Sequence, residues 1–314
     1  MKGKYIMKKI FLFLSIFILV TLACDLSVAV APSTSPAPLP TDTVIQATEA
    51  LTQIPDPATP IPATSVPDVA PTVSGSSFEG TAVSYGPISL ILPPGVAIGF
   101  SGNQFPRVEG DNVAPWEVTP GHTQITLEGY LLQGKFHQPQ IFVYPATDYA
   151  VMVPAAFESM HRLRNVMYVS SASISAGQLP AVPFFSAAQV FAANLQPISF
   201  QNGSGMHFLT EYAQYAAPVN NQDLFYHFQG FTDDGEYYII AILPITAPVL
   251  PEISDPGATL PLGGVAYPDI TNPNVDMPGY YSAVTSLLNA TSQDAFTPSI
   301  NQLDALIQSI QITP

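Results

Sequence analysis

The chain has 314 residues, 47% hydrophobic and only 10% charged, with 23 acidic side chains against 8 basic ones and a formal net charge of -15. A surface this poor in cations cannot displace the counterions of nucleic-acid phosphates, nor dock by charge on anionic lipid headgroups. Cys24 is the single cysteine, which excludes an intramolecular disulfide and a cysteine-built metal cage, and the apolar content excludes global disorder.

The N-terminus has a basic head with Lys8 and Lys9, an apolar run from Ile10 to Leu22, and a small Ala23 before Cys24. This pattern predicts a signal peptide over residues 1–23, because the run is shorter than the roughly 20 residues that span a bilayer. The sequence Thr21-Leu22-Ala23-Cys24 resembles the lipobox of bacterial lipoproteins, with Thr21 standing where that family usually has Leu, Val or Ile. The resemblance implies that Cys24 is acylated and becomes the mature N-terminus. It places the protein outside the cytoplasm, anchored to the cell membrane through its lipid, with residues 24–30 as the lipidated terminus. Asp25 resembles the inner-membrane retention signal of such proteins in two-membrane bacteria. Lys2, Lys4, Lys8 and Lys9 leave with the leader, so the mature chain is more acidic than the full one.

Residues 31–75 are rich in Pro, Thr, Ala and Ser and contain ten prolines without apolar periodicity. Proline favours extended backbone and removes donors, so this stretch is expected to be a disordered, semi-rigid tether reaching at most on the order of 140 Å. Residues 76–314 are expected to fold as a single globular domain. Early strands are predicted at Thr81–Leu92, Thr123–Leu132 and Gln140–Val143, and a helix over Pro154–Val166. Four β-branched and aromatic runs follow, at Ala188–Gln201, Gly205–Ala216, Asp223–Phe231 and Glu236–Ile245. Asn202-Gly203 and Asp234-Gly235 supply hairpin turns, which makes these runs an antiparallel meander. In the last run Tyr237, Ile239, Ala241 and Leu243 face one way and Tyr238, Ile240 and Ile242 the other, so both faces are apolar and the strand is expected at the centre of the sheet. Thr246–Pro278 reads as a long surface loop and Tyr280–Leu288 as a helix. A C-terminal amphipathic helix places Ile300, Leu303, Leu306, Ile307 and Ile310 on one face, with Thr297 as N-cap and Pro298 at the first helical position. The fold class is therefore α+β. An antiparallel sheet closed by a terminal amphipathic helix also resembles the layout of the PsbP-like sandwich group.

Candidate chemistry is sparse. Gly203-Ser204-Gly205 lacks the outer glycines of a nucleophile elbow, since Asn202 and Met206 stand there, and a hairpin turn explains it. Asn202 and Asn289 head Asn-x-Ser/Thr sequences read as coincidental. No two of His122, His137, His161, His207 and His227 have zinc-motif spacing. Pairing the meander around a loop at 217–222 sets His227 near Tyr212 and Ala213, diagonal to Glu211. With His207 this forms a weak His/Glu group able to orient a water or hold a metal. His161, Arg162 and Arg164 form a basic cluster suited to an anion, or to a helix C-terminus with Glu158 as ion-pair partner. Asp269, Asn272, Asn274 and Asp276 offer oxygen ligands for a structural calcium, or else Asx turns. No other cofactor is expected. Tyr280, Tyr281, Phe225, Tyr226, Phe228 and Phe231 serve the core or line a ligand groove.

Together these features read as a membrane-tethered extracytoplasmic lipoprotein whose acidic domain is a non-catalytic module for an envelope protein or small ligand, with no nucleic-acid partner. The alternative is a secreted hydrolase or metal-assisted enzyme built on His207, Glu211 and His227. The two readings separate on whether those three side chains share one concave pocket.

Overall fold

The computed structural model describes residues 78–313 except 168, 170–173 and 175. Cys24 and the segments 1–23, 24–30 and 31–75 lie outside the described residues. The strands are β1 (Thr81–Tyr85), β2 (Ile88–Leu92), β3 (Gly99–Phe105), β4 (His122–Glu128), β5 (Gln140–Pro145), β6 (Ala188–Phe200), β7 (Gly203–Ala213), β8 (Phe225–Thr232), β9 (Tyr237–Pro244) and β10 (Gln311–Ile312). The helices are α1 (Ala146–Met152), α2 (Pro154–Val166), α3 (Met277–Ala290) and α4 (Ile300–Gln308). This is the α+β architecture with an antiparallel meander that the sequence predicts. The large sheet runs β3-β4-β5-β9-β8-β7-β6 and a small one runs β1-β2-β10.

β9 stands in the middle of the seven strands, as its two apolar faces require. Its Ile239, Ala241 and Leu243 join a core with Ile125, Leu209 and Phe228, covered by Leu288 of α3 and Leu303 and Ile307 of α4. Tyr238, Ile240 and Ile242 join a second core with Met206, Phe208 and Phe225, covered by Tyr149 of α1 and Met160 and Leu163 of α2. The sheet is thus buried on both sides, and every residue of β8 is buried. α2 starts with Pro154 at its first positions and buries Ala156, Met160, Leu163 and Val166 at helical spacing.

Several boundaries differ from expectation for local reasons. The run Thr81–Leu92 is a hairpin of β1 and β2, because Gly86 takes φ +56° and Pro87 lacks a ladder donor. β4 ends at Glu128, where Gly129 takes φ +57°. The β6–β7 turn is Gln201-Asn202, since Phe200 already pairs with Gly203. Gly203 is needed for close approach and not for a positive φ: a Cβ there would sit 2.1 Å from the Phe200 ring and 2.3 Å from the Phe231 carbonyl. Asp234-Gly235 does form the β8–β9 turn, with Gly235 at φ +73°. The cap of α4 is Ser299, not Thr297. Ser299 Oγ accepts from the Gln302 amide at 3.2 Å and Gln302 Oε1 accepts from the Ser299 amide at 3.1 Å, a capping box. Thr297 is committed elsewhere, exchanging backbone hydrogen bonds with Thr246 at 3.0 and 2.8 Å. β3 and α1 have no counterpart among the predicted elements.

Candidate functional site

At the end of the β7 ladder the chain leaves the sheet and builds a recess of about 480 Å³. Its walls come from Phe136 and His137 before β5, Phe185 before β6, and Tyr212 and Tyr215 at and beyond the end of β7, with Glu211 and Asp223 lining the same space. The rings contact one another: Phe136 and His137 have centroids 4.9 Å apart, His137 and Phe185 5.3 Å, and Phe185 and Tyr212 4.6 Å. Phe136 and Tyr215 are 70% and 66% exposed, so two large rings stay in solvent at the rim.

The walls are tied together by polar contacts. The Phe136 amide donates to the Gln222 carbonyl at 3.0 Å, Gln222 Nε2 donates to the Gly134 carbonyl at 2.7 Å, and Gln214 Nε2 donates to the Ser186 carbonyl at 2.9 Å. Buried Asn220 organises the loop between β7 and β8. Its Oδ1 accepts from the amides of Gln222 and Asp223 at 2.9 and 3.2 Å. Its Nδ2 donates to Asp223 Oδ2 at 2.9 Å and Glu211 Oε1 at 3.4 Å, and its backbone amide donates to Glu211 Oε2 at 3.2 Å. Asn221 fixes the next layer: its Oδ1 accepts from the Ala247 amide at 2.8 Å and its Nδ2 donates to the Leu250 carbonyl at 3.2 Å.

Glu211 is 1% exposed. Burial pushes its carboxyl up to about 8, against the backbone hydrogen bond from Asn220 and with added repulsion from Asp223. Burial also pushes the His137 imidazole down to about 4, so at physiological pH the imidazole is neutral and the Glu211 carboxyl keeps its proton. None of the recess residues is Lys or Arg. The arrangement suits binding of a small molecule between aromatic faces beside one or two carboxyl groups.

The His/Glu group expected on the sheet divides differently. The β7–β8 register sets His227 opposite Phe208 and His207 opposite Phe228, four residues away from the expected pairing with Tyr212. His207 and Glu211 side with the α3 and α4 layer, while His227 faces the α1 and α2 layer, where its Nε2 donates to the Val182 carbonyl at 2.9 Å. His207 stacks on Tyr226 at 4.8 Å, and neither of its ring nitrogens has a hydrogen-bonding partner. Its Nε2 lies 3.7 Å from Asp304 Oδ1, which accepts from the Tyr226 hydroxyl at 2.8 Å. Burial lowers His207 to about 4 and His227 to about 3, so both are neutral core residues. Only Glu211 of the three lines the recess.

The other candidates are engaged locally. Ser204 lies in the β7 ladder opposite Ser199 and Phe231 and not on a sharp turn. Arg162 turns inward, donating from Nη2 to Ser159 Oγ at 3.2 Å rather than pairing with Glu158. Arg164 covers the Phe231 ring at 4.6 Å and, with His161, lines a separate groove of about 300 Å³ between α1 and α2. The basic cluster therefore does not act as one unit. Asp269 Oδ1 accepts from the Thr271 amide and hydroxyl at 2.9 and 2.6 Å, and Asn272 Oδ1 accepts from the Asn274 amide at 2.9 Å. Asp276 Oδ1 caps α3 through the Gly279 amide at 2.8 Å. These are Asx turns and a helix cap, and among the described residues no group of three or more His, Cys, Asp or Glu is placed to hold a metal ion. Asn202 holds β10 through both backbone groups of Ile312, at 2.6 and 3.0 Å, and Asn289 Oδ1 accepts from the Asn194 amide at 2.6 Å.

Sequence reasoning missed Phe136, Phe185, Tyr215, Asp223 and the Asn220-Asn221 pair. The available signal was two adjacent asparagines inside a short interstrand connection, a common way for a buried loop to satisfy its own backbone. No protein-family model, curated protein or solved structure matches the chain.

Proposed function

We propose that the protein is a membrane-tethered extracytoplasmic lipoprotein whose acidic domain is a non-catalytic ligand-binding module, with the recess at the end of β7 as its binding site. The observation that carries this reading is the aromatic recess itself, which keeps two rings in solvent beside a buried carboxyl. Large exposed rings gathered around a concave space favour a ligand groove, whereas singly scattered ones need no such reason. Catalysis by the His207, Glu211 and His227 set lacks comparable support, because those side chains lie on opposite faces of the sheet. The lipobox resemblance around Cys24 supports the anchor.

The test is to recover the full chain from membranes, denature it and identify the small molecules released. The wild type is expected to release a ligand near one equivalent, and the Phe185→Ala/Tyr215→Ala double variant to release at least tenfold less. Equal release from both, at matched thermal stability, removes the recess as the site.

A further inference from the structure

The chemistry of the recess narrows its occupant, on the premise that the recess is a binding site. Of the residues lining it, Glu211 and Asp223 are the acids, His137 is the one nitrogen base, and Phe136, Phe185, Tyr212 and Tyr215 supply π faces. Tyr280 and Tyr281 of α3 feel the Glu211 carboxyl but are engaged elsewhere, the Tyr280 hydroxyl accepting from the Val219 amide at 3.0 Å and the Tyr281 hydroxyl donating to the Ala217 carbonyl at 3.1 Å. Lys135, next in sequence to Phe136, pairs with Glu252 at 3.7 Å. The space thus offers carboxyl groups and ring faces with no Lys or Arg in its lining, the nearest cationic influence being that of Arg162 on Tyr212.

We infer that the recess binds a small organic cation, a quaternary ammonium or a protonated amine carried on a compact apolar body. Aromatic faces attract such a cation through their quadrupoles, and a carboxylate beside them neutralises it in a partly desolvated setting. Both Glu211 oxygens already accept hydrogen bonds from Asn220. What Glu211 lacks is an opposite charge more than a donor, and this favours a cation that needs no hydrogen bond of its own. A volume of about 480 Å³ accommodates a molecule of metabolite size. An anionic ligand would meet two carboxyl groups and no Lys or Arg among the lining residues.

Binding of a permanent cation selects the ionised form of Glu211 and therefore releases a proton. Below about pH 8 affinity should rise by up to about tenfold per pH unit, and it should level off above that value. Calorimetric titration of the full chain with choline, and with its neutral isostere 3,3-dimethylbutan-1-ol, reads both features between pH 6 and 9. Choline is expected to bind at least tenfold more tightly than the isostere at pH 8, with the pH slope lost in Glu211→Gln. If that variant misfolds, Tyr215→Ala at the exposed rim serves instead and is expected to weaken choline at least threefold. Equal affinity for the two probes, no choline binding at millimolar concentration, or an affinity independent of pH overturns the inference. A neutral or anionic ligand released from the membrane-derived protein also overturns it, while leaving the binding-module reading intact.

Discussion

Glu211 holds its proton to about pH 8 in the folded chain against an ordinary value of 4.5. Between those values the folded state binds the extra proton, so stability falls as pH rises, by up to about 1.4 kcal/mol per unit for this one group. The buried imidazoles act in the opposite sense. His137 and His207 at about 4 and His227 at about 3 stay neutral where the unfolded chain protonates them, so stability falls as pH drops below 6.5. Urea unfolding across pH 5 to 9 should therefore show a maximum at about 6 to 7. Glu211→Gln should flatten the alkaline limb and cost about 1 kcal/mol at pH 5, where its amide faces the Asn220 amide. An alkaline limb unchanged by that substitution contradicts the assignment. None of this was visible in the sequence, because a carboxyl's burial depends on which residues a loop brings over it. The register of β8 against β7 turns on how many residues the intervening loop consumes. A misplaced loop sets His227 against the wrong residues, although its own face of the sheet is fixed by alternation along the strand.

The elements were legible where local chemistry decides them. The opposed apolar faces of β9 predicted its central position, and Pro154 with its apolar spacing predicted α2. The C-terminal helix was legible too, but its start was not. Thr297-Pro298 is an attractive cap and first residue, yet the capping box belongs to Ser299 and Gln302 because Thr297 is paired with Thr246. Ser299→Ala should lower stability by about 1 kcal/mol, read as a shift in the urea midpoint without a change in slope, whereas Thr297→Ala should have little effect. Equal effects would favour Thr297 as the cap. α1 and β3 escaped notice for different reasons. α1 has only seven residues, and β3 reads GFSGNQF, with two glycines and no buried alternation. The cost of a glycine strand is explained in part by packing, since a Cβ at Gly102 would fall 2.1 Å from the Tyr85 ring.

At the scale of the whole molecule, the charge of -15 that excludes nucleic acid also bears on the ligand. An acidic domain concentrates cations near its surface, and the recess places carboxyl groups and ring faces within that field. The groove with His161 and Arg164 is the local exception on the far side of the sheet from α3 and α4. Among the described residues no helix is long and apolar enough to cross a membrane; attachment through a lipid on Cys24 is the proposal to be tested. A single intact mass spectrum, taken under native conditions on the full chain released from membranes in mild detergent, reads anchor and ligand together. The expected species is a polypeptide that begins at Cys24, carries acyl mass that Cys24→Ala abolishes, and holds one small cationic adduct. An unprocessed chain without acyl mass, or a processed one with no adduct, would contradict it.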